Sequence, residues 1–428
     1  MRGVLTGLLG LVLLASTTSA SAAQWISCGK LFDAESAKLL GPYQILVKDG
    51  KIAALRAGAS PPADAGEVLD LGDKTCLPGL IDMHVHLDHE SNPQRYSEGF
   101  RLNQEDFAFR AVGFAERTLM AGFTTVRDLG GLITISLRNA IDQGLLRGPR
   151  IIAAGKSIAT TGGHADPVNG VNRDLLHALG YPGPEDGVIA GPVEARRAVR
   201  QRYKDGSDVI KITATGGVLS FAKSADNPQF MLDEIEAIVA TAHDYGYKVA
   251  AHAHGAEGMK RAVIAGVDSI EHGTYMNDEV MSLMKQHGTW YVPTLAAGDF
   301  VSEQSKLDGY YPDIVRPKAA RVGPQISKTF AKAYEAGVNI AFGTDAGVFP
   351  HGQNAREFEL MVKAGMPANL AIQSATRNAA QLLGQWQELG SLSVGKHADL
   401  IAVTGDPTQD IRLLQQVEVV IKGGQRVK

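Results

Sequence analysis

Six residues carry side chains able to hold a divalent cation, and each stands where a strand would end: His84, His86, Lys211, His252, His272 and Asp345. His84 and His86 are separated by one residue. Alternate residues of an extended strand point to the same face, so both imidazoles can reach one ion. Imidazole and carboxylate ligands suit Zn2+, whose catalytic sites keep one position open for water. Each residue alone has a plainer explanation. A single His-x-His is weak evidence for metal, and Asp345, in Gly343-Thr-Asp-Ala-Gly347, can cap a following helix. Lys211 is the odd one. Set among Val209, Ile210 and Ile212, an ammonium is costly to bury, so it must pair, lose its proton or be modified.

The six count together only if a fold gathers them, and the chain's rhythm supplies one. Short apolar segments at 79–84, 124–128, 150–154, 209–213, 248–252, 269–272, 289–294 and 339–343 alternate with helical stretches such as 233–245, 256–265 and 325–336. Eight strands with intervening helices predict an α/β chain, a (β/α)8 barrel over 81–387 whose strand ends converge at one mouth. No Gly-x-Gly-x-x-Gly follows a first strand, which argues against a dinucleotide-binding sheet. Three stretches without clear periodicity, 160–191, 214–229 and 296–315, follow strand candidates and should rise around that mouth. They offer Leu219, Phe221, Phe300, Tyr310 and Tyr311 as an apolar pocket wall. At the chain ends, 43–55 reads as a hairpin about Asp49-Gly50, with further strands near 68–72, 399–403 and 417–424. Residues 24–80 and 388–428 are therefore expected to join in a small β-sandwich.

Composition sets the outer bounds. With 42 Lys and Arg against 46 Asp and Glu, the chain has a formal charge of -4. No basic run marks a nucleic-acid surface. Met1-Arg2, an apolar core over 5–14 and Ala20-Ser-Ala-Ala23 form a signal-peptide pattern over 1–23, which predicts an exported protein without stable membrane association after cleavage. The two cysteines, Cys28 and Cys76, lie in no metal-ligand spacing and read as structural; the sequence leaves open whether they pair.

The runs Leu77-Pro-Gly-Leu-Ile-Asp-Met-His-Val-His86, Gly122-Phe-Thr-Thr-Val-Arg-Asp128, Ile270-Glu-His-Gly273, Gly343-Thr-Asp345 and Gly390-Ser-Leu-Ser-Val-Gly-Lys-His-Ala-Asp-Leu400 resemble, in this order, the signature of the amidohydrolase superfamily. The resemblance spans nearly all of the chain beyond residue 23. It leans towards the imidazolonepropionase-related branch, with Xaa-Pro dipeptidase-like carboxypeptidases and ochratoxin-hydrolysing enzymes. It implies two divalent ions, most simply Zn2+: His84, His86 and Asp345 on one, His252 and His272 on the other, and Lys211 bridging both as an N6-carboxylysine. It implies amide hydrolysis by a metal-activated hydroxide, with Asp345 moving the proton and His254 polarising the carbonyl. His164, in Thr161-Gly-Gly-His-Ala165, matches a loop histidine that contacts substrate. The implied partners are a small N-acyl amino acid or dipeptide with a bulky C-terminal residue, ochratoxin A among the candidates, and further copies of the chain in a homo-oligomer. Alternatives are Xaa-Pro dipeptides, a cyclic amide of the hydantoin or imidazolone kind, and a metal-free scaffold.

Overall fold

A computed structural model describes residues 23–428, so the signal pattern over 1–23 lies, but for its last residue, outside the described residues. Strands contributed by both chain ends form one eight-stranded sheet. Its order is Gln425–Arg426, Val419–Lys422, Leu400–Thr404, Val68–Pro78, Gln24–Asp33, Tyr43–Lys48 and Lys51–Ala57, with Lys38–Leu40 paired beside Gln24–Asp33. The hairpin at Asp49-Gly50 forms as its residue types dictate: both residues take positive φ, 50° and 74°, which Gly adopts freely and Asp tolerates. The expected sandwich is thus one continuous hydrogen-bonded sheet, in which only Gln24–Asp33 and Val68–Pro78 run parallel. Cys28 and Cys76 lie on those two strands with Cα atoms 5.9 Å apart and are joined as a disulfide. The bond is packed among Ile26, Leu31, Ile45, Leu71 and Leu400.

The middle of the chain is a TIM-barrel-like domain. Ile210–Thr213, Val249–Ala253, Ser269–His272 and Trp290–Val292 form a parallel sheet, and Leu80–Val85, Phe123–Asp128 and Arg150–Ala153 form a second. Parallel bridges tie the two at either side: Ile158 to Ile212, and Tyr291 to Ile340 with Val85 to Ala346. The segment 339–343, expected as the eighth strand, makes only that bridge pairing. Its donors are divided: Ala341 N–H donates to Tyr291 O while Phe342 N–H donates to Ser374 O. On the side of Leu80–Val85, Phe342 O accepts from Met83 N–H, but Phe342 N–H is taken by Ser374 in a helical segment, and the ladder stops there. Five of the seven barrel strands are buried at every residue, as expected of parallel strands covered by helices; Arg150, Ile152 and Trp290 in the other two are partly exposed. Leu232–Asp244 and Ala256–Ile264 match the helices read from the sequence, whereas the third begins earlier, at Arg316, and runs to Glu335.

Of the three stretches expected as loops, only 214–229 lacks a helix or strand. Arg173–Leu179 is helical within the first, and Leu295–Gln304 is a helix within the third. The latter starts where it does because the Glu357 carboxylate accepts from Leu295 N–H at 2.8 Å and Ala296 N–H at 2.6 Å. The helix's first free donors are satisfied by an acid 61 residues away. Local pattern cannot show that.

Candidate metal centre

The strand ends bring His84, His86, Lys211, His252, His272 and Asp345 to one buried floor. His84 Nε2 lies 3.4 Å from Asp345 Oδ1 and 3.4 Å from Lys211 Nζ, and His86 Nε2 lies 3.3 Å from Asp345 Oδ1. Candidate ligand atoms of His84, His272 and Asp345 fall within 4.8 Å of one another. The His252 ring stands 4.7 Å from those of His272 and His254, and 4.3 Å from that of His164. All eight residues singled out in the sequence therefore meet in one cleft.

Backbone strain makes this possible. On an extended strand, Glu271 and His272 would face opposite ways. His272 has φ 70°, which breaks the alternation and lets both side chains reach His84. Asp345 (φ 60°) and Thr294 (φ 53°) are left-handed too. Such conformations cost non-glycine residues of order 1–3 kcal/mol each and persist only where the surroundings impose them.

The outward nitrogens of the rings show which atoms are free for a cation. Carbonyls and carboxylates can only accept, so His84 Nδ1–H donates to Glu271 Oε2 at 2.9 Å, His86 Nδ1–H to Gly130 O at 2.9 Å, and His252 Nε2–H to Gly216 O at 3.0 Å. His272 Nδ1 has Thr294 Oγ1 at 2.8 Å. In their neutral forms His84, His86 and His252 are each left with one unprotonated ring nitrogen. Two such lone pairs then face one carboxylate oxygen at 3.3 and 3.4 Å, an arrangement that a shared cation stabilises. The donor set fits divalent metal, and the outward hydrogen bonds are those that orient metal-binding histidines.

Electrostatics agree. Burial drives the His84, His252 and His272 pKa values well below the ordinary imidazole value, aided by Lys211 at His84 and mainly by neighbouring histidines at His252 and His272, which favours neutral rings. His86 is the exception: burial pulls it down, but the hydrogen bond and charge of Asp345 outweigh this and raise it. Burial lowers Lys211 to about 8 against the pull of Glu271 and Asp345. The ammonium is thus the least comfortable cation in the site. His254 falls to about 4 by burial, and its Nδ1 lies 2.8 Å from Thr274 Oγ1. His164, lowered to about 3 by burial and by His254, has a buried Nδ1 without a hydrogen-bond partner among the described residues.

Beneath the floor lies a group to which the sequence reading assigns no role. Arg127 and Glu271 are almost wholly buried and paired at 2.8 Å; Arg127 also donates to Met83 O at 2.6 Å and to Ser269 Oγ at 3.1 Å. On the other flank Asp82 accepts from His84 N–H, Thr344 Oγ1–H and Asn354 Nδ2–H. Glu271 directly precedes a candidate ligand histidine and Arg127 sits in a buried strand. A charged pair in two buried strands was the available signal.

The cleft above the floor measures about 960 Å3. Val218, Leu219, Phe221, Val301, Tyr311, Val322 and Ile326 give it an apolar wall. Leu219, Phe221 and Tyr311 line it as expected, whereas Phe300 and Tyr310 stand behind, packed on the cluster of Val301, Tyr311 and Val315.

Residues 75–427 match the model of the amidohydrolase family. The chain belongs to that family. This amidohydrolase is 33% identical over 366 residues to an ochratoxinase of Aspergillus niger, covering 82% of its own length and 75% of the relative's. Among solved structures, one described as a Xaa-Pro dipeptidase with methionine bound in the active site is 55% identical, with a TM-score of 0.92 over 95% of this chain and 100% of the other. A prolidase complexed with N-methylphosphonate-L-proline is 31% identical, with a TM-score of 0.83 over 95% and 99%. The amidohydrolase is accordingly a metal-dependent hydrolase of C–N bonds.

Proposed function

We propose that this amidohydrolase cleaves the amide bond of N-acyl amino acids and dipeptides whose C-terminal residue is bulky and apolar. The observation that carries this reading is the apolar wall standing directly over the His and Asp floor within one cleft. A methionine-bound Xaa-Pro dipeptidase structure at 55% identity and an ochratoxinase at 33% support it. So does the size of the cleft, since ligand sites of about 300–1,000 Å3 accommodate molecules of dipeptide size.

Two divalent ions, most simply Zn2+, would be held by His84, His86 and Asp345, and by His252 and His272, with Lys211 as an N6-carboxylysine between them. When bound, they supply an acidified water and polarisation of the scissile carbonyl. The chain's own groups do the rest. Asp345 takes the nucleophile's proton and passes it to the leaving nitrogen. His254 presents Nε2–H to the carbonyl oxygen when the Thr274 hydroxyl donates to its Nδ1, a geometry that stabilises the developing oxyanion. His164, beside His252, contacts the acyl side. The wall residues exclude water from the C-terminal side chain.

Xaa-Pro dipeptides form the second reading, favoured by the 55% identical structure's description. A cyclic amide is disfavoured by a cleft much larger than one small ring. Export is proposed from the signal pattern, and the Cys28–Cys76 disulfide supports it, because such bonds persist in oxidising compartments. A homo-oligomer, testable by light scattering, belongs to the same proposal. The deciding experiment is release of free amino acid by metal-loaded protein from N-acetyl-phenylalanine, ochratoxin A, Xaa-Pro dipeptides and hydantoins. Hydrolysis confined to the ring substrates would overturn the main reading.

A further inference from the structure

The loop that carries the specificity wall is held from outside by one cation. Lys318, on the helix Arg316–Glu335, places Nζ 3.0 Å from Gly217 O, 2.7 Å from Ser220 O and 2.8 Å from Ala222 O. An ammonium has three N–H donors, and here all three are spent on one six-residue turn of the chain. Lys318 makes no ion pair with any carboxylate among the described residues. Burial lowers its pKa to about 8, so the charged form is still the major one at neutral pH. The segment 214–229 has neither helix nor strand. Besides Lys318, the tip has the Tyr96 hydroxyl, which donates to Leu219 O at 2.9 Å.

This turn does two things for the cleft. With its carbonyls drawn towards Lys318, Val218, Leu219, Ser220 and Phe221 line the cleft. Gly217 also lies flat against the His164 ring, where a Cβ would overlap the imidazole. We propose that Lys318 is a latch that sets substrate specificity: by gathering the Gly217, Ser220 and Ala222 carbonyls it fixes the apolar wall that receives the substrate's C-terminal side chain. Lys318 touches no reacting atom, so it is a positioning residue. The specificity half of the inference rests on the amide-cleaving function proposed above; the latch half does not.

Two readouts separate these halves. Hydrogen exchange measured by mass spectrometry on metal-loaded Lys318→Met should show amides of 216–223 exchanging roughly tenfold or more faster than in the parent, with barrel strands unchanged. Lys318→Gln, which keeps two donors on a shorter stem, should be intermediate and guards against a Met variant that fails to fold. Kinetically, the ratio of kcat/KM for N-acetyl-phenylalanine over N-acetyl-alanine should fall about tenfold in Lys318→Met, mostly through KM. A merely structural loss would lower both substrates alike. In Phe221→Ala the ratio should already be low, and adding Lys318→Met should change it little further. Unchanged exchange in the loop overturns the latch, and an unchanged ratio overturns its role in specificity. If the parent enzyme cleaves neither amide, the proposed function fails while the exchange result still decides the latch.

Discussion

His84 Nδ1 lies 2.9 Å from Glu271 Oε2, and the other oxygen of that carboxylate is held by Arg127 at 2.8 Å. The orientation of the His84 ring is therefore set two residues deep, by a buried ion pair that spans two strands. Glu271→Gln keeps the shape but places amide N–H groups against either the imidazole or the guanidinium. It also leaves Arg127 buried without a counter-charge. Metal affinity or activity should fall about 10- to 100-fold. Metal content by mass spectrometry alongside turnover checks this; full metal loading with parental turnover would show that Glu271 does not orient His84.

Lys211, buried beside His84, is the residue proposed to carry a carboxylate. Lys211→Met should leave less than the parental metal content and reduce kcat/KM by several orders of magnitude. Intact mass of the metal-loaded parent under native conditions should exceed the sequence mass by the metals plus one CO2.

Chelation should abolish activity, and Zn2+, Mn2+ or Co2+ should restore it to different degrees, since ligand type alone does not choose between them. The stripped protein should also melt at lower temperature, because an ion that binds only the folded state adds stability. Activity that survives stoichiometric metal removal would refute the floor's assignment.

Gly217→Ala tests the packing of His164 beside His252. A Cβ at Gly217 would overlap the His164 ring, so the ring must leave its place beside His252. A fall in kcat/KM with unchanged metal content is expected. A parental rate would mean His164 does not contact substrate.

The Cys28–Cys76 bond closes a span of 48 residues within the terminal sheet. Replacing both by serine should cost about 2–4 kcal/mol, read as a lower midpoint in denaturant. Activity per folded molecule should survive, because the candidate metal ligands lie outside the terminal sheet.

Glu357→Gln should act on a helix and a ligand together. One of Leu295 N–H and Ala296 N–H loses its acceptor, at a cost of about 1–3 kcal/mol. Thr294, immediately before that helix, holds His272 at 2.8 Å. Lower thermal stability should therefore come with weaker metal binding, measured by competition with a chelator.

By itself the sequence determined what depends on residue type and short-range spacing. His84-Val-His86 on a strand, the Asp49-Gly50 turn and seven of the barrel strands follow from alternation, φ preference and apolar runs. The candidate ligand set was legible because its members lie at or near the ends of strand candidates, and parallel strands in a barrel deliver their ends to one mouth. Only the tertiary structure decided how those ligands are aimed. Glu271 and Arg127 meet from separate strands, and Glu357 starts a helix 61 residues away. His272 turns inward through a left-handed backbone, and Lys318 closes its grip on a loop about a hundred residues earlier. Each of these is a contact between distant segments, and local pattern holds no record of which distant partner will satisfy a buried donor or charge.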